Sequence, residues 1–104
     1  MEILQVPQAA EFIDELPPLL QARVRRTINL LETHGHALRM PSSRLVARGL
    51  YELRILGKVH VRLFYFFHQD RAIILFGVIK KQNRLSMKDI AYAEKVRKDV
   101  LATI

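Results

Sequence analysis

The sequence contains no cysteine, which excludes disulfides, a thiol nucleophile and cysteine-ligated zinc or iron–sulfur sites. That absence fits a reducing compartment. No stretch approaches the roughly 18 consecutive apolar residues of a membrane span. The longest apolar run, Ala72 to Ile79, is short and strand-like. The opening Met1-Glu2-Ile3 lacks the basic, then apolar, then small-residue order of a signal peptide, so a cytoplasmic location is expected, with no membrane partner. Glycine and proline are scarce, four of each, and act as punctuation. They leave no flexible linker, repeat, low-complexity tract or Gly-rich phosphate loop. Acidic residues are also few: ten Asp plus Glu against 17 Lys plus Arg, a net charge of +7.

What remains is a 104-residue chain, half of it apolar, enough for one domain over residues 1–104 with a single hydrophobic core. The charge is unevenly placed. From Arg39 to Arg84 there are ten cations and two anions, Glu52 and Asp70, so this segment carries +8 and the rest of the chain −1. Solubility does not need one sign concentrated in this way; a polyanionic partner does.

Hydrophobic periodicity gives the elements. Glu2 to Val6 reads as a short strand that Pro7 ends. Gln8 to Leu16 reads as a helix with Ala9, Phe12, Ile13 and Leu16 on one stripe. Pro17-Pro18 starts a second helix, in which Leu20, Val24, Ile28 and Leu31 share a face and Arg23, Arg25 and Arg26 fall off it; it stops near His34-Gly35. After a polar, basic loop, Arg39 to Gly49, the period changes to two. Tyr51 to Leu56, Val59 to His68 and Arg71 to Ile79 form an antiparallel meander, the last strand apolar on both faces and therefore central. Ser86-Met87-Lys88-Asp89 is a capping-box pattern opening a helix through Ile90, Ala93, Val96 and Val100. The expected fold is α+β: a helical hairpin packed on a small antiparallel sheet of three to four strands, followed by a C-terminal helix.

Glu52, Arg54, His60 and Arg62 all occupy even positions between apolar odd ones. With a three-residue loop, Leu56-Gly57-Lys58, Ile55 pairs with Val59. Arg54 then faces His60 and Glu52 faces Arg62 on the polar side of the sheet. Lys80 and Lys81 leave the last strand, and Arg84 follows. Guanidiniums grip phosphate oxygens bidentately and a carboxylate can accept a proton, so this face is a candidate phosphate site. Taken alone, Glu52 opposite Arg62 is equally a solvated cross-strand ion pair, worth little. His34, His36, His60 and His68 show no metal-ligand spacing, and no metal or cofactor is expected. Phe64, Phe66 and Phe67 read as core.

The order and spacing of Gly49-Leu50-Tyr51-Glu52-Leu53-Arg54-Ile55, Val61-Arg62-Leu63-Phe64-Tyr65, Phe76-Gly77-Val78-Ile79-Lys80-Lys81 and Ile90-Ala91-Tyr92-Ala93 resemble the RelE/ParE superfamily of toxins from type II toxin–antitoxin systems, in particular its HigB-like, phage-associated branch. The resemblance implies a RelE-like fold. It also implies a ribosome-dependent mRNA endoribonuclease in which the ribose 2′-hydroxyl attacks the adjacent phosphate without a metal. By the same resemblance Arg62 stabilises transition-state charge, and Arg54 holds the substrate phosphate. Lys80 and Lys81 act as phosphate ligands or leaving-group stabilisers, and Glu52 is the candidate general base. Arg44, Arg48, Lys58, His60 and Arg84 are the expected RNA-binding residues. The implied partners are the ribosome, mRNA and a cognate antitoxin, HigA-like with a helix-turn-helix. Ribonuclease relatives carry a tyrosine about where Met87 stands; Tyr92 lies in the last helix instead. The sister branch poisons DNA gyrase, and a non-catalytic RNA- or ribosome-binding module is a third reading.

Overall fold

The structure, a computed structural model, describes residues 1–81 and 84–104. Strand β1 (Glu2–Gln5) leads into helix α1 (Pro7–Asp14), and Pro17 precedes helix α2 (Pro18–His34). In each helix proline takes the first position, where its missing N–H leaves no bond unmade. Helix α1 is shifted from the expected Gln8 to Leu16, because the bond from Leu16 N to Ile13 O is a tight turn that already leaves the helix. Gly35, with φ of 52°, ends α2. Strands β2 (Ser43–Ala47), β3 (Leu50–Ile55), β4 (His60–His68) and β5 (Arg71–Lys80) follow, then helix α3 (Met87–Thr103). The Ser86 Oγ accepts from Asp89 N at 3.2 Å, the expected cap.

The α+β class stands, and two details of the sheet are corrected. It has five strands in the order β1-β5-β4-β3-β2, and it is mixed, because β1 runs parallel to β5. The stretch Arg39 to Gly49, expected as a loop, contains edge strand β2. Its arginines and serines hide a strand that needs little apolar surface, since an edge strand has one neighbour and Leu45 stays exposed.

The β3–β4 hairpin also departs from expectation. Ile55 pairs with Val61 rather than Val59, Arg54 sits opposite Arg62 rather than His60, and Glu52 sits opposite Phe64 rather than Arg62. The three-residue loop is replaced by a longer one across Leu56–Val59. The slip is by two residues, so each side chain keeps its face. The β4–β5 turn is tight as expected. His68 pairs with Arg71, and Gln69 and Asp70 both have positive φ, 52° and 60°, the geometry of a two-residue turn that matches strand twist.

Helices cover both faces of the sheet. Ala9, Ile13, Leu16, Val24, Ile28 and Leu31 of the helical hairpin pack on Leu53, Ile55, Val61, Leu63, Tyr65 and Ile74. Ile90, Ala93 and Val96 of α3 pack on Leu50, Phe64, Phe66, Ile73, Leu75 and Phe76. A bulge makes this division possible. Phe64 pairs with Phe76 and Tyr65 with Ile74, leaving Leu75 unpaired, so Leu75 and Phe76 both face α3 while Ile74 and Gly77 face the hairpin. Phe64 and Phe66 are core, as expected. Among the described residues no helix is long and apolar enough to cross a membrane.

Two expectations for stability follow. A Cβ at Gly77 would lie 2.5 Å from the Phe12 ring and 2.7 Å from Leu63. Gly77→Ala is therefore expected to cost about 1–3 kcal/mol by overpacking, measured as a lower urea midpoint. Burial pushes the Tyr65 phenol above its ordinary range, outweighing the opposing hydrogen bond with Ser43. The folded chain thus holds that proton more tightly than the unfolded one. Its contribution is complete below about pH 10 and is lost as pH rises beyond it. The stability difference between wild type and Tyr65→Phe should shrink over that alkaline range.

Candidate functional site

The face of the sheet beneath α3 continues, toward the β3–β4 hairpin, into charged residues. On β3 the alternation Leu50, Glu52, Arg54 carries the chain from core into charge, and on β4 the alternation Phe64, Arg62, His60 does the same. Strand β2 adds Arg44 opposite Glu52, and β5 adds Lys80 opposite His60.

Glu52 is the centre of this cluster. One carboxylate oxygen, Oε1, lies 2.8 Å from Arg44 Nη2, 3.4 Å from Arg62 Nε and 3.6 Å from Arg54 Nε. Only the Arg44 contact is short enough for a well-formed hydrogen bond; the other two are ion pairs. The solvated ion pair considered from sequence is ruled out by burial: Glu52 and Arg62 are each 1% exposed and Arg54 5%. Arg54 also donates toward Met40 Sδ at 3.2 Å. Burial draws the Arg62 guanidinium below its ordinary value; Glu52 opposes that shift, and the repulsion of Arg54 and Arg44 adds to it. Three arginines on one carboxylate leave the cluster with a local excess of positive charge.

The accessible cations lie around this buried centre. Arg44 is partly exposed, and its buried Nε has no hydrogen-bond partner among the described residues; the same holds for His60 Nδ1. Lys80 Nζ pairs with Asp89 at 2.8 Å and approaches the Arg84 carbonyl at 3.5 Å. Lys81 and Arg84, both exposed, line a 650 Å³ hollow with Lys80, Ser86 and Met87. The structure therefore brings together Arg44, Glu52, Arg54 and Arg62, with His60 and Lys80 on the same face. It sets two expected residues apart. Arg48 lies in the β2–β3 turn at the other end of the sheet, where its carbonyl accepts from Arg97. Lys58 lies in the β3–β4 loop, beside Pro17 and Leu20 of the helical hairpin.

Tyr92, the tyrosine of the last helix, is engaged in packing. Its ring packs edge-on against Phe76 at 4.8 Å and its hydroxyl donates to Gln8 Oε1 at 3.1 Å. Met40 and Asp89 are the site neighbours that sequence reasoning missed. Met40 fell in a stretch read as loop, and Asp89 was read as a cap although its carboxylate is used on Lys80. Among the described residues no group of three or more His, Asp or Glu side chains converges as a metal site would.

A five-stranded sheet covered by helices on both faces, with a carboxylate-centred arginine cluster at one end, defines a small cationic α+β domain. The chain belongs to the Gp49-like phage-derived protein family (DUF891), whose family model matches residues 11–98. Members of that family are commonly toxins of toxin–antitoxin systems. No curated protein matches the chain.

The cluster predicts its own fragility. Arg62→Ala would take one of three guanidiniums from the buried Glu52 carboxylate and empty a fully buried site in the sheet, a change of the kind that costs about 3–5 kcal/mol when a buried pair is broken. A large drop in thermal midpoint is expected, whereas Arg44→Ala, at the solvent edge, should lower it much less.

Proposed function

We propose that this chain is the toxin of a type II toxin–antitoxin pair, of the HigB-like RelE/ParE kind, and that it cuts translated mRNA on the ribosome. The observation that carries this reading is the arginine excess around Glu52. A site with three guanidiniums on one carboxylate, continued by Lys80, Lys81 and Arg84, suits a phosphodiester whose charge grows during reaction. Family membership supports the toxin role, and with it a cognate antitoxin, taken here as HigA-like with a helix-turn-helix.

In this proposal the ribose 2′-oxygen bonds to the adjacent phosphorus as the bond from phosphorus to the 5′-oxygen breaks. The products are a 2′,3′-cyclic phosphate and a 5′-hydroxyl. One proton leaves the 2′-hydroxyl and one reaches the departing oxygen. Glu52, fully buried among arginines, acts as the anchor that holds their guanidiniums in place, and the base role passes to another group. His60 is the candidate: it lies on this face opposite Lys80, and its Nδ1 has no hydrogen-bond partner among the described residues. Arg44, Lys81 and Arg84, nearest to solvent, hold the non-bridging oxygens. Arg54 and Arg62 supply positive potential from behind, where low polarizability strengthens it. Lys80 serves the leaving oxygen by exchanging Asp89 for it.

The test is brief induction followed by primer extension on a translated message. New 5′ ends within codons are expected, absent without translation, and His60→Gln should slow single-turnover cleavage by about 10²-fold or more. Growth arrest with every message intact would overturn the ribonuclease reading and favour gyrase as the target.

A further inference from the structure

A second basic feature lies outside the Glu52 cluster. Between α2, the segment before β2 and the β3–β4 loop runs a 490 Å³ groove lined by Arg23, Arg26, Ser42, Arg54 and Gly57, among others. Arg23 and Arg26 project from the exposed side of α2, and neither has an ion-pair partner among the described residues. Arg25 between them differs, being paired with Asp14 at 3.1 Å. Gly57 lets one wall close in: a Cβ there would stand 2.7 Å from Arg23 Nη1. The guanidinium thus rests against the bare backbone of the loop. At its other side the groove reaches Arg54, whose Nε is 3.6 Å from Glu52. No carboxylate lines it.

We propose that this groove is a second binding site for the phosphodiester backbone of single-stranded RNA, continuous through Arg54 with the Glu52 cluster. It rests on the ribonuclease reading only for the identity of the strand, which is the message running on from the cut phosphate. The lining argues for nucleic acid over an acidic protein segment. Arginines spaced along the groove match a regular run of phosphates, whereas an amphipathic helix needs a row of apolar pockets, and the apolar lining here is limited to Pro41, Ile55 and Leu56.

The probe is a fluorescein-labelled 2′-O-methyl oligoribonucleotide, which carries the phosphates and cannot be cut by 2′-hydroxyl attack. Its affinity for the full chain is measured by anisotropy across a range of salt. The Arg23→Gln/Arg26→Gln variant should bind more weakly, with the log–log salt slope reduced by about 1.4, or about 0.7 for each of two lost phosphate contacts. Arg23→Glu/Arg26→Glu should bind more weakly still. Lys95→Gln/Lys98→Gln, an equal loss of charge on the exposed side of α3, serves as the comparison and should leave most of the affinity. The proposal is overturned if the groove variants keep wild-type affinity and slope, including the case in which they lose only their hold on an antitoxin. It is equally overturned if both pairs lose the same amount, which would mean net charge alone. A wild type that binds the probe through the groove yet cuts no message would fail the ribonuclease reading and leave this site standing.

Discussion

Three guanidiniums, two of them buried, cannot share one sheet face without something to offset their mutual repulsion, and among the described residues the Glu52 carboxylate does so. The hairpin register puts Arg54 directly opposite Arg62, an arrangement of like charges that by itself opposes strand pairing. Glu52, two residues before Arg54 on the same face, reaches both and takes Arg44 from the neighbouring strand as well. Removing ions from water costs several kcal/mol each, and only close opposite charge with hydrogen bonding recovers it. The cluster is therefore tolerated because the pairing of β2, β3 and β4 fixes all four side chains at once. A residual positive potential at this end of the sheet is the result.

The neighbouring elements keep that potential in a fixed place. Helix α3 begins beside the cluster. Its first turn is held by Ser86, and its Asp89 carboxylate clamps Lys80 to the end of β5. Beyond that turn, Ile90, Ala93 and Val96 seal the apolar part of the same face. One face of one sheet thus passes from dry packing to buried charge to exposed cations within a few strand positions. The opposite face, under α1 and α2, is apolar apart from the buried Ser43–Tyr65 hydrogen bond and supplies the rigid backing.

Much of this was legible in the sequence. Apolar steps of three and four gave both N-terminal helices and the C-terminal one, and the even-numbered placement of Glu52, Arg54, His60 and Arg62 gave their common face. Register was not legible, because a slip of two residues preserves every facing relation, and loop length alone decides between the pairings. Burial was not legible either. Charged residues at alternating positions look the same whether the face meets water or folds into the domain, so nothing in the spacing told that Glu52, Arg54 and Arg62 are buried. Strand β2 was hidden by its arginines and serines. The Leu75 bulge was hidden by a run apolar at every position, where a change of face leaves no trace. The basic groove on α2 needed the third dimension, since Arg23 and Gly57 meet only in the folded chain.

The parallel pairing of β1 with β5 has a consequence for the order in which the chain can assemble. The first strand made has no partner until residues 71–74 exist, since its hydrogen bonds and the register Ile3 with Ala72 and Leu4 with Ile73 lie far along the chain. The helical hairpin and the β3–β4 pair can form from local contacts, but the sheet edge at β1 waits for a long loop to close. During synthesis the domain therefore stays open along one side until most of its length has emerged. The sheet can be completed at that edge only once β5, and with it the sequence of β2, β3 and β4, has been made.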